Sequence, residues 1–287
     1  MNTKALIIVV LVFALVTMAC GVQVTLPQVD LKTGPTVTDD IFIDLPDSGT
    51  VQDVRLSFGA GELNVAPGAE KGLIEGTATY NVPDLKPEIN TGNTVEIRTG
   101  DLELNGIPRL SGNLKNEWDL KLNDHPMNLR INAGAYQGRI ELGGLSLESL
   151  RVSDGAADVK LNFNEPNLVS MDELRYETGA SQVELSGLAN ANFQNMTFRG
   201  GAGDYTLDFS GELQQAADVN VDAGVSSLTI IVPEGTNVSV FVSGGLTDVN
   251  RSGAWDKHND EYTMSGSGPS LRIDVRMGAG SLNLRTQ

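Results

Sequence analysis

Arg130, Arg151 and Arg175 are the residues whose spacing best suggests chemistry in this chain. Each lies four residues before a glycine, Gly134, Gly155 and Gly179, so a fold that stacks the glycines also stacks the guanidinium groups about 4.8 Å apart. Like charges that close repel, and a guanidinium fork pairs bidentately with carboxylate or phosphate. The column therefore predicts a site for an anionic polymer or a carboxylate sugar. The competing reading is a solvated face whose charge is offset by acids such as Glu177.

Catalysis has less to work with. His125 and His258 stand far apart, with no cysteine or acid at metal-site spacing, so no metal centre is expected. No nucleophile elbow, phosphate loop or zincin helix occurs, and the Gly-x-Gly matches fall inside the strand pattern described next. The positions three after successive glycines read Gln137, Asp158, Gln182, Asp204 and Ser227. Acids scattered in this way do not converge as a glycosidase or lyase requires, so neither an enzyme nor a cofactor is expected.

The elements that would carry the arginines are short alternating runs; no long window has helical periodicity. One pattern recurs at Gly59, Gly134, Gly155, Gly179, Gly201, Gly224 and Gly278. The residues five and three before the glycine are apolar, from Val54 and Leu56 to Ile273 and Val275, with polar residues between them. An alanine or valine follows, and the residue six positions after the glycine is again apolar, from Val65 to Leu284. Apolar side chains thus sit at odd offsets before the glycine and even offsets after it, which a straight strand cannot do. A bend at the Gly-Ala step is required, with glycine expected to supply an unusual dihedral.

From Gly134 to Gly224 the pattern repeats every ~21–24 residues, and a degenerate copy at Gly245 reads as the next coil. Fixed-period self-similarity points to an all-β single-stack β-solenoid, resembling a parallel β-helix, whose repeats need neighbours to close their core. The alternative is an antiparallel β-sandwich, which gives no reason for a shared corner offset. The stretch Thr247 to Gly268, with Trp255, His258 and Tyr262, breaks the period and is expected to cap the stack, a binding loop being the alternative.

The chain has 287 residues, 32 glycines and a net charge of −17. An acidic surface disfavours nucleic-acid binding. Lys4 followed by the apolar run from Ala5 to Met18 reads as a secretion signal, and Ala19-Cys20 resembles a bacterial lipobox, so Cys20 is the expected lipidation site. With one cysteine the exported protein has no internal disulfide. The expected organisation is a signal peptide at 1–19, a lipidated tether at 20–40, an N-terminal β subdomain or cap at 41–124 and a repeat solenoid at 125–287.

The runs Leu56-Ser57-Phe58-Gly59-Ala60-Gly61-Glu62-Leu63, Trp118-Asp119-Leu120-Lys121-Leu122, Ile131-Asn132-Ala133-Gly134-Ala135 and Glu141-Leu142-Gly143-Gly144-Leu145 carry a family resemblance. In these the chain resembles the toast-rack group of bacterial envelope proteins and the related adhesin-type and cell-wall-stress response proteins, over most of its length after Cys20. The resemblance implies a β-stacked fold and an envelope setting, with no catalytic residues to carry over. Members that pair the domain with membrane helices are linked to cell-wall stress signalling. The expected function is that of an exported envelope lipoprotein, anchored at the extracytoplasmic membrane face, with a structural or adhesin-like binding role. An accessory or sensor protein of a cell-wall stress response is the alternative, and a carbohydrate-active solenoid enzyme the third reading.

Overall fold

The computed structural model describes residues 28–30, 33–47, 49–100, 107–109 and 114–287; Cys20 and the 1–19 segment lie outside the described residues. In chain order the strands are β1 (Gln28–Asp30), β2 (Val37–Asp44), β3 (Gln52–Pro67), β4 (Gly72–Tyr80), β5 (Pro87–Thr91), β6 (Thr94–Thr99), β7 (Ile107–Arg109), β8 (Asn116–Leu122) and β9 (Met127–Glu141). They continue as β10 (Leu147–Asn162), β11 (Met171–Ser186), β12 (Phe193–Asp208), β13 (Ala217–Val232), β14 (Asn237–Ser252), β15 (Asp256–His258), β16 (Glu261–Met264) and β17 (Ser270–Thr286). Two compact units result: β1 and β7 pair as a short parallel ladder, and the other strands share one 15-stranded sheet.

The long strands β3, β9, β10, β11, β12 and β13 lie side by side, parallel and in register. Each is bent at its glycine into two arms. Before the bend the buried side chains sit at odd offsets, as at Leu150 and Val152; after it they sit at even offsets, as at Val159 and Leu161. Both sets belong to one hydrophobic core, so the parity change folds the sheet around its own apolar face. Turn residues Leu142, Leu145, Phe163, Leu188 and Phe209 close the remaining side of each coil. This is the solenoid expected from the repeat, each coil leaving an apolar face that only the next one covers.

The role of the corner glycine differs from expectation. The left-handed φ values fall on other glycines, such as Gly61 (132°) and Gly280 (133°), and not on the aligned corner positions. What the corner demands is space. A Cβ on Gly179 would stand 2.5 Å from the carbonyl oxygen of Gly155, and one on Gly245 would stand 2.6 Å from that of Gly278. Gly134, Gly201 and Gly224 meet the corner carbonyl of the neighbouring coil in the same way. Glycine is selected at the bend because backbones of adjacent coils approach there.

The stacking order also departs from chain order. Gly245 does not stack on Gly224; β17 enters between β13 and β14, pairing with each in parallel. Burial explains the choice. Strand β17 buries Leu271, Ile273, Val275, Met277, Leu282 and Leu284, whereas β14 carries Asp248, Asn250 and Arg251 on its second arm. The more apolar strand takes the position with neighbours on both sides. At this end β16 pairs antiparallel with β14, and Trp255, Tyr262 and Met264 are buried in the core, so Trp255 covers the final coil.

At the opposite end β3 divides its partners. Its first arm pairs with β6 of the β5–β6 hairpin, and its second arm with β8, which continues antiparallel through β4 to β2. Phe58 packs edge-on against Trp118 with ring centres 5.0 Å apart, joining this region to the core of the coils.

Candidate functional site

The arginine column lies on the outward face of the first arm. Parallel pairing aligns Arg130 with Arg151 and Arg151 with Arg175, and Arg55 of β3 extends the row by pairing with Arg130. Sequence reasoning singled out Arg130, Arg151 and Arg175 but not Arg55; the signal was present, since Arg55 also lies four residues before its glycine. Thr197 ends the row on β12 and Glu96 on β6.

Carboxylates neutralise this row unevenly. Arg175 donates to Glu177 at 2.7 Å and Arg151 pairs with Glu173 at 2.7 Å, while Arg55 stands 3.9 Å from Glu96. Among the described residues Arg130 has no carboxylate within ion-pair distance. The hydrogen bond from Arg175 holds the Glu177 carboxyl below its usual range and raises Arg175 itself. Positive charge is therefore concentrated at Arg55, Arg130 and the free side of Arg151, around a recess of about 260 Å³ also lined by Asp53, Asn128 and Ser149. Asp53, which accepts a hydrogen bond from Asn128 Nδ2 at 3.0 Å, brings one negative charge to this recess against the three arginines.

Beside this row, outward positions two before the glycine form an alternating ladder of Glu177, Arg199, Asp222 and Arg276. Its contacts of 3.0, 3.8 and 2.6 Å leave no surplus of either sign. The contrast marks Arg130 as the uncompensated charge of the arginine row.

The structure does not bring the other polar candidates together. His125 Nε2 lies 2.7 Å from the Thr50 carbonyl, at the start of β9, while His258 is exposed on β15 at the far end of the ladder. Asp158 and Asp204 alternate in register with Gln137, Gln182 and Ser227. Among the described residues no group of three or more His, Cys, Asp or Glu could hold a metal ion, and no helix is long and apolar enough to cross a membrane.

One polar cluster was not legible in the repeat. Asp154 sits inside the bend, buried, accepting hydrogen bonds from Tyr176 Oη at 2.7 Å, from Tyr136 Oη at 3.5 Å and from Thr178. Thr178 Oγ1 and Ser181 Oγ lie 2.6 Å apart beside it. Burial raises the Asp154 carboxyl above its usual range, and the hydroxyls offset only part of that. Tyr136 and Tyr176, both buried, tie it to the core.

Parallel coils bent at glycine, with an apolar interior and an arginine-bearing outer face, define a single-stack β-solenoid of the folded-sheet kind. The chain belongs to the toast-rack family: it matches the family described as the N-terminal domain of toast_rack, DUF2154, over residues 32–172 and 166–231, well over half its length. Among solved structures, it is similar to a proposed cell adhesion protein from Clostridium sporogenes, with 21% identity and a TM-score of 0.50 over 88% of this chain and 100% of that one. That likeness shows a shared fold. A proposed adhesin from Parabacteroides merdae is 12% identical with a TM-score of 0.44, over 89% of this chain and 98% of that one. No curated protein matches the chain.

Proposed function

We propose that the protein is an adhesin-like binding module of the bacterial envelope, without catalysis, that holds an anionic polymer on the arginine column. The observation that carries this is the in-register row Arg55, Arg130, Arg151 and Arg175, in which Arg130 meets no carboxylate among the described residues although the chain as a whole is acidic at −17. Guanidinium groups about one strand spacing apart suit a ligand with repeated charges, because each fork pairs with a separate carboxylate or phosphate. Family membership and the amino-terminal sequence support an envelope setting, with export directed by residues 1–19 and lipidation at Cys20 as the anchor.

Replacement of Arg130, Arg151 and Arg175 by alanine tests the reading. Binding to polygalacturonate and to teichoic-acid-type polyphosphate is measured by titration at low and high salt. A fall in affinity of about tenfold or more, with a shallower salt dependence, is expected. Unchanged binding by the triple variant ends the proposal.

A further inference from the structure

Strand β2 forms one end of the 15-stranded sheet: β4 pairs with it on one side, and among the described residues no strand pairs with it on the other. Alternate backbone amides and carbonyls along that outer edge are an open template for a further strand. Other edges of the sheet are blunted. β5 begins at Pro87, β15 is three residues long, and the second arm of β14 carries Asp248 and Arg251, charges of both signs. β2 runs for eight residues without proline, lysine or arginine. Its one irregularity against β4, between Ile43 and Asp44, leaves the extra residue, Leu73, on β4, so β2 itself alternates through Asp44.

The side chains of β2 are sorted by face. Ile41 and Ile43 are buried in the core, and Val37 is exposed farther along the same face. On the opposite face stand Asp40, Phe42 and Asp44, all exposed, with Phe42 at 53%. Asp39 is engaged by Tyr80 Oη at 2.8 Å and by Lys86 at 3.5 Å. Among the described residues Asp40 and Asp44 meet no cation. The outward face of the edge thus presents two unpaired carboxylates placed evenly about an aromatic ring. Those charges exclude a second copy as the natural occupant, because antiparallel pairing of β2 with itself would gather Asp39, Asp40 and Asp44 of both chains on one two-stranded ribbon. The chain's own alternating run Val22-Gln23-Val24-Thr25-Leu26 carries no cation to meet them.

We propose that the β2 edge docks an extended strand of another protein whose outward side chains run basic, apolar, basic. The partner's cations stand opposite Asp40 and Asp44, its apolar side chain packs on Phe42, and its other face sets apolar side chains beside Ile41 and Ile43. Because Asp40 and Asp44 flank Phe42 equally, the pattern fits in either chain direction. The edge shares no residue with the arginine row, so the two sites stand or fall separately.

The full chain is titrated calorimetrically with the peptide Lys-Val-Lys-Val-Phe-Val-Lys-Val-Lys and with the same peptide carrying glutamate for lysine. A third peptide has proline for the valines beside its phenylalanine, which keeps every charge but prevents pairing as a strand. Hydrogen exchange of the β2 amides is followed in parallel. The lysine peptide is expected to bind and to slow exchange at alternate residues of β2, whereas the proline peptide binds more weakly by about tenfold or more, without that protection. Asp40→Lys/Asp44→Lys should reverse the preference, so that the glutamate peptide binds and the lysine peptide does not. The proposal is overturned if the lysine and proline peptides bind alike, if the lysine peptide leaves exchange in β2 unmoved, or if the swapped variant keeps the wild-type preference. Protection of the β2 amides that grows with protein concentration before any peptide is added would assign the edge to a second copy and overturn it as well.

Discussion

Replacing Gly179 by alanine places a methyl carbon 2.5 Å from the carbonyl oxygen of Gly155, whereas the same change at Gly155 leaves 3.1 Å to the carbonyl of Gly134. Both are corner glycines of adjacent coils without a left-handed φ, so neither substitution meets that penalty and the two differ in available space. Ordinary contact begins at 3.4 Å. The Gly179 corner must open by close to an ångström, and the Gly155 corner by only a few tenths. Overpacking of this kind costs about 1–3 kcal/mol, and the upper part of the range applies at Gly179 because the obstacle is backbone held on both sides by ladder hydrogen bonds. Alanine recovers about 0.4–1 kcal/mol by restricting the unfolded chain. The expected net loss is roughly 1–2.5 kcal/mol for Gly179→Ala and within about 0.5 kcal/mol of zero for Gly155→Ala.

Urea unfolding followed by circular dichroism reads the difference. With an m-value of roughly 3 kcal/mol/M, the Gly179→Ala midpoint falls by about 0.3–0.8 M while that of Gly155→Ala barely moves. Equal losses at the two positions, or a Gly179→Ala protein as stable as wild type, would refute the claim that coil-to-coil distance selects glycine at the bend.

Two further outcomes follow from the interior. Asp154 faces Tyr136, Tyr176, Thr178 and Ser181, and burial raises its carboxyl above the reference value of 3.8. A carboxyl raised on folding contributes stability that is full below the unfolded value and is lost as pH rises through the folded one. Wild type should therefore lose stability relative to Asp154→Asn as pH is raised from about 4 upward until Asp154 is ionised; parallel stability–pH curves for the two proteins would exclude this. Trp255→Ala uncovers the final coil, and the cost of about 3–5 kcal/mol for a buried tryptophan should fall locally. Hydrogen exchange is expected to accelerate in β14 and β16 while β10 and β11 stay protected, and uniform acceleration through the stack would count against a cap.

Much of this architecture was written in short-range alternation. Because strand side chains alternate with period two, the switch from Leu150 and Val152 to Leu161 across Gly155 demanded a bend, and its recurrence demanded stacking. The row of Arg130, Arg151 and Arg175 followed from the same offsets. What alternation cannot encode is which coil touches which. β14 and β17 both bend at a glycine, β14 in a degenerate copy of the pattern, and their order depends on which strand better tolerates neighbours on both sides, a comparison made only when the whole core is assembled.

The same limit applies to the charges. Sequence placed Arg151 and Arg175 outward, but their pairing with Glu173 and Glu177, and the lack of any such partner for Arg130 among the described residues, depend on side-chain reach across coils. The junction with the non-repeating strands was hidden for a further reason: β4 and β8 follow no repeat while the coils do, so no period in the chain could bring Asp119 beside Asn64. Local periodicity determined the shape of one coil; long-range packing decided the order of the coils and where charge was left without a partner.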